Sequence, residues 1–217
     1  NYNENAFYTR SRAYNTDQPT HHTGVLGSYQ ISDDASIGVG FVNDTKTNVT
    51  NSDGGDSGTA YLVSLNYTLP DSMGFLGGTE ITYGRVDGAG PDTAEQDNQY
   101  AGISVPLPVE GLSYSLAWDS VEYAGAGKDS TIVGHYLSYA WSDKVTLNLR
   151  YETGNVNDNP DTTAVENADG IDDIAIGVDY QLWENVISRV EYISIDDDQT
   201  GTAGAQESLV FNIIYSF

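Results

Sequence analysis

Leu209, Phe211, Ile213, Tyr215 and Phe217 fall on one face of an extended segment, and Val210, Asn212, Ile214 and Ser216 fall on the other. Alternation that runs out to a terminal aromatic constrains the fold strongly. The last strand of a transmembrane β-barrel must pair with the first to close the ring, and its aromatics sit at the membrane interface. A sheet in water has no physical need for such an end. The expectation is an all-β fold, a transmembrane antiparallel up-and-down β-barrel.

The same period recurs along the chain. Ile174, Ile176, Val178, Tyr180 and Leu182 alternate with Asp173, Ala175, Gly177, Asp179 and Gln181. Val145, Leu147, Leu149 and Tyr151 alternate with Thr146, Asn148, Arg150 and Glu152. Twelve strand-like segments are expected, at about 6–14, 22–31, 35–43, 58–69, 78–87, 98–107, 111–122, 130–141, 144–154, 171–182, 186–195 and 206–217. No helix is expected. Weak points are Arg85-Val86, which breaks the alternation, and Pro106 and Pro108, which limit a strand end.

The connections alternate too. Short turns at Ser32-Asp33-Asp34, Pro108-Val109-Glu110, Ser142-Asp143-Lys144 and Trp183-Glu184-Asn185, with a longer one at 70–77, are interleaved with polar loops at 15–21, 44–57, 88–97, 123–129, 155–170 and 196–205. Short periplasmic turns and long external loops are what an up-and-down barrel requires, and twelve is an even number. A soluble sandwich or solenoid would also alternate, but with shorter strands and no such order of turn lengths. Residues 1–217 are read as one domain.

Composition agrees. Hydrophobic residues make up 39%, and no apolar run reaches the roughly 18 to 20 residues of a spanning helix. A barrel strand needs an apolar side chain only at alternate positions, so its mean hydropathy looks soluble. The 32 acidic and 8 basic residues give a formal charge of -24, which argues against nucleic acid as a partner. Absence of cysteine removes disulfides, thiolate metal sites and cysteine nucleophiles. Asn1 to Asn5 has neither a basic n-region nor an apolar h-region, so the chain is read as a mature protein or a fragment of one.

Thr9-Arg10-Ser11, then Thr20-His21-His22-Thr23-Gly24-Val25, then Ile31-Ser32-Asp33-Asp34, Val42-Asn43 and Asp53-Gly54-Gly55 follow in an order that resembles the OmpL-like β-barrel porins. The likeness covers about the first 65 residues; beyond them the generic barrel pattern agrees. It implies an outer-membrane barrel with porin-like transport and says little about the solute.

In such a barrel the side chains between the lipid-facing ones line the lumen. A charge facing lipid at mid-depth costs about 2–4 kcal/mol, so strand charges should point inward. Arg10, Arg12, Glu80, Asp119, Arg150, Glu152, Asp179, Arg189 and Glu191 are the expected pore-lining residues. They would either set up a transverse field that orients solutes or brace a narrow barrel as charge pairs. No cofactor is expected. The acidic loops (Asp53, Asp56, Asp158, Asp161, Asp169, Asp172 and Asp196 to Asp198) offer oxygens of the kind that suit Ca²⁺, and Asp196 to Glu207 imitates part of an EF-hand loop without its helices. A solvated acidic hairpin tip is the simpler reading.

Catalysis finds little support. His135 and Ser138 are three apart, hence on opposite strand faces, and no Gly-x-Ser-x-Gly elbow occurs. His21-His22 lack further ligands for a metal. The first expectation is a porin for small hydrophilic solutes or ions, with outer-membrane lipid and lipopolysaccharide as surroundings. The second is a plugged barrel serving as scaffold, adhesin or partner anchor. A homo-oligomer stays open.

Overall fold

The computed structural model describes residues 5–16, 18, 22–42, 59–88, 96–123, 130–155, 170–197 and 206–216. Eleven strands follow one another: β1 Gly24–Ser32, β2 Ala35–Val42, β3 Ala60–Thr68, β4 Glu80–Asp87, β5 Gln96–Pro106, β6 Leu112–Tyr123, β7 Ser130–Ser142, β8 Val145–Asn155, β9 Gly170–Trp183, β10 Val186–Asp197 and β11 Gln206–Tyr215. They form one up-and-down sheet in chain order. Each strand is antiparallel to its neighbour, so no crossover is needed. No helix among the described residues is long and apolar enough to cross a membrane.

The period-2 pattern is what aligns the strands. In β9, Ile174, Ile176, Val178 and Tyr180 are exposed while Ile171, Asp173, Ala175 and Gly177 between them are buried. Register carries this division across the sheet: Leu149 pairs with Ile176, and Arg150 with Ala175. Sliding a strand by one residue would put its apolar set on the wrong face. The outer face carries aromatics near both edges. Trp141 (67% exposed) and Trp183 (69%) stand at the short turns, and Phe41 meets Tyr61 edge-on near the loop ends at 5.4 Å. The turn before β6 depends on Gly111, whose φ of +76° suits glycine and whose Cβ, if present, would stand 2.9 Å from the Ala140 carbonyl oxygen.

The first expected strand, 6–14, is not a strand. Residues 5–11 lie as an irregular segment against one face of the sheet and continue into a short helix, α1 (Arg12–Thr16). The count among the described residues is therefore eleven rather than twelve. With ten antiparallel steps between eleven strands, β1 and β11 point the same way, and they are not paired with each other in the described sheet. The physical reason lies in the side chains. Phe7 and Ala13 share one parity with Thr9 and Ser11, so that set is half apolar and half polar and suits neither lipid nor a wet wall. Instead Phe7 is buried with Ala175 and Ile193, and Ala13 with Ile132 and Ile171. The face that holds this segment is the inner face. The connection between β3 and β4 also contains a 3-10 turn, Asp71–Leu76, where no helix is expected from sequence.

Ile176, 48% exposed on the outer face, tests what surrounds the sheet. Ile176→Arg is expected to cost about 2–4 kcal/mol of unfolding free energy in lipid vesicles. Equilibrium urea titration against the unsubstituted chain reads it.

Candidate functional site

The inner wall and the N-terminal segment make one site. Ser11 starts α1 as its N-cap: the Ser11 Oγ accepts a hydrogen bond from the Tyr14 N–H at 3.1 Å. Ahead of it, the segment has no strand partner, so its backbone groups must be satisfied by side chains. The N–H groups of Tyr8 and Thr9 donate to Glu191 Oε2 at 2.5 and 3.2 Å, and the Thr9 hydroxyl donates to Glu191 Oε1. The Arg12 N–H donates to both Glu152 oxygens, at 3.1 and 2.9 Å. Carbonyls are served from the same wall. Arg150 Nη1 donates to Thr9 O at 2.9 Å, Arg150 Nη2 to Thr9 Oγ1 at 3.0 Å, and Asn148 Nδ2 to Ala6 O at 3.4 Å.

The strands place these donors and acceptors at alternate positions. Asn148, Arg150 and Glu152 are successive inner residues of β8, and Glu191 faces Gly177 across β10 and β9. Gly177 leaves room: a Cβ there would already touch Phe7 at 3.5 Å. Arg150 stands 3.2 Å from Glu152, and its guanidinium lies 4.9 Å from the centre of the Phe7 ring. Arg189 and Asp179 form a two-pronged pair at 2.6 and 2.8 Å. Gln18, beyond α1, donates to Asp119 at 2.8 Å.

Glu152 and Glu191 have no exposed surface, and Arg150 and Arg189 have 3% and 2%. A buried charge that loses its partner costs about 3–5 kcal/mol. These groups are held together with the segment: they satisfy its backbone, and it satisfies them.

Of the residues expected on the inner face, Asp119, Arg150, Glu152, Asp179, Arg189 and Glu191 all lie there and cluster on β6 and β8 to β10. Glu80 is on the same face by register but exposed, near the short turns and apart from the segment. Arg10 and Arg12 are on the inward segment and in α1, not on a strand, and Arg10 stacks over Tyr14 at 4.6 Å. Phe7, Thr9, Asn148 and Gln18 were missed by sequence reasoning. The available signal was the polar pair Thr9 and Ser11 on what would have been a lipid face.

Among the described residues, two cavities lie beside the segment. One, about 200 Å³, lies towards the short turns between Arg10, Tyr14, Ser113, Ser115, Tyr136 and Asn148. The other, about 360 Å³, lies towards the loop ends of β3 to β6 and is bordered by Gln18, Leu62, Ser64, Asn98, Tyr100 and Asp119.

On the outer face, Arg85 reaches across to Asp97 with a fork of 2.9 and 2.8 Å and to Asp87 at 2.8 Å. Val86 beside it turns inward onto Val42 and Ala60, which explains the broken alternation. His135 faces outward, its Nδ1 2.6 Å from the Tyr114 hydroxyl and its ring stacked on Tyr151 at 6.1 Å. Ser138 is on the inner face with Asn148, so the two share no reaction centre. Asp172 accepts from the Tyr151 hydroxyl at 2.6 Å. His21, Asp53, Asp56, Asp158, Asp161, Asp169 and Asp198 lie outside the described residues.

Glu191→Ala removes three acceptor contacts to the segment. Opening of the segment should become about 2–3 kcal/mol easier, so hydrogen exchange at the Tyr8 and Thr9 amides should quicken roughly 30- to 150-fold.

A family model described as putative beta-barrel porin-2, OmpL-like, matches residues 2–217. No curated protein matches the chain.

Proposed function

From the premise that the chain belongs to the putative beta-barrel porin-2, OmpL-like family, we propose that it is an outer-membrane channel for passive diffusion of small hydrophilic solutes or ions. The sheet would close as a barrel through the bilayer, because unpaired strand edges cannot be left in hydrocarbon. The observation that carries the reading is the contrast between the two faces. The outer face is a band of exposed Leu, Ile, Val and aromatic side chains, while the inner face holds charged and amide groups with open space of about 360 and 200 Å³ on either side of the N-terminal segment. A wet, charge-lined interior inside an apolar exterior is the arrangement a porin needs.

The inner charges do not form two opposed walls of free ions. Arg150 and Arg189 are each tied to a carboxylate. Together with the described acids Glu80, Asp119, Glu152, Asp173, Asp179 and Glu191, this favours cations over anions along the path. Its proposed set of charges along the pore is Arg10, Arg12, Glu80, Asp119, Arg150, Glu152, Asp179, Arg189 and Glu191, of which Glu152 and Glu191, covered by the segment, act on the path through their field rather than by contact. A filled barrel acting as scaffold, adhesin or partner anchor is favoured by one observation, the segment bound to Glu191 and Glu152 inside the sheet.

Planar-bilayer recording of the detergent-refolded protein separates the two. The channel reading expects discrete conductance steps, with a reversal potential in a KCl gradient on the side of K⁺. Silence from folded protein supports the filled barrel. Arg150→Ala leaves Glu152 without its guanidinium and should move the reversal potential further towards K⁺; an unchanged value counts against inner charges steering ions.

A further inference from the structure

Two inner-face tyrosines lie along the wall rather than out across the space in front of it. Gly102 on β5, Ala117 on β6 and Gly134 on β7 are register partners in one row across three strands. Tyr100 comes to this row from the loop side and Tyr136 from the short-turn side, each two residues along its own strand. Both rings rest on the glycine. A Cβ on Gly102 would stand 2.5 Å from the Tyr100 hydroxyl oxygen and 3.0 Å from Cζ. A Cβ on Gly134 would stand 2.7 Å from the Tyr136 hydroxyl oxygen and 2.8 Å from Cε2. Carbon cannot sit that close, so any other residue at either seat displaces the ring. Glycine in a strand interior gives up packing and backbone entropy, and close approach of another group is what offsets that cost.

By register the row lies between the two cavities: on β6, Ser115 borders the smaller and Asp119 the larger, with Ala117 between them. Tyr100 borders the larger, on the loop side, and Tyr136 the smaller, on the short-turn side. Ala117, between the seats, adds only a methyl group to the wall. A solute moving from one cavity to the other passes over this row with the N-terminal segment opposite, and the Tyr136 hydroxyl meets Ser11 of that segment.

We propose that Tyr100 and Tyr136, held flat by Gly102 and Gly134, set the bore of the solute path. The proposal rests on the channel reading above. The rings do not gate; their position is fixed by the seats. A methyl group at Gly102 swings the Tyr100 ring towards the segment and narrows the path. Removing the ring widens it, and removing the ring makes the seat indifferent to what occupies it.

Single-channel conductance in KCl tests this with Gly102→Ala, Tyr100→Ala and the double variant. Gly102→Ala should lower unitary conductance about twofold or more, because conduction depends steeply on pore radius. Tyr100→Ala should raise it, and the double variant should match Tyr100→Ala. Folding of each is checked by urea unfolding and heat-modifiable gel mobility. If Gly102→Ala does not fold, Tyr100→Ala carries the test alone, since it needs no seat. Unchanged unitary conductance in Tyr100→Ala, or a double variant as low as Gly102→Ala, overturns the proposal. So does a seat that affects only stability, seen as a lower unfolding free energy with unaltered conductance. A folded but silent unsubstituted protein overturns the channel reading itself, an outcome distinct from a conducting protein with indifferent variants.

Discussion

Two buried carboxylates organise the interior. Glu191 and Glu152 project from adjacent regions of the inner wall into a place with no exposed surface, where an ionised group survives only with donors aimed at it. The donors come from backbone N–H groups of residues 8, 9 and 12, close to two hundred positions away in sequence in the case of Glu191. A segment that cannot join the sheet edge finds its hydrogen bonds inside. The chain therefore solves two problems with one contact: an unpaired stretch of backbone gains acceptors, and two buried acids, one of them already beside Arg150, gain donors.

That contact makes the interior asymmetric. The wall of β6 to β10 carries the segment and nearly all of the buried charge, whereas the wall of β2 to β5 presents Gly38, Gly40, Ser64, Gly84 and Gly102. Small side chains on one side and a bound segment on the other displace the remaining space away from the centre. Both cavities are off to the sides of the segment.

Much of the sheet was legible in the sequence because its signal is local. Alternation in 171–182 and 144–154 corresponds within a residue or two to β9 and β8, and short turns such as Ser142-Asp143-Lys144 join the strands expected. Inner-face placement of Arg150, Glu152, Arg189 and Glu191 followed from parity alone. The first segment was misread because 6–14 has the length of a strand and puts Arg10 and Arg12 on one parity, although Thr9 and Ser11 interrupt the apolar set on the other. What decides its fate is long-range: Phe7 fits beside Ala175 and Ile193, and Thr9 fits between Arg150 and Glu191. No short-range pattern encodes those meetings. The seating of Tyr100 on Gly102 was hidden for a related reason, since a strand glycine reads as a weakness until the ring that covers it is known.

The central claim is that the N-terminal segment occupies the inside of a conducting barrel. Its most direct test is unitary conductance of the full chain beside a chain lacking residues 5–18, both refolded and recorded in the same bilayer and salt. Larger steps from the shortened chain, with stronger preference for K⁺ as Glu152 and Glu191 become available to the path, are the result expected. Equal conductance and equal selectivity from two folded proteins would contradict the account, because the segment would then lie outside the path.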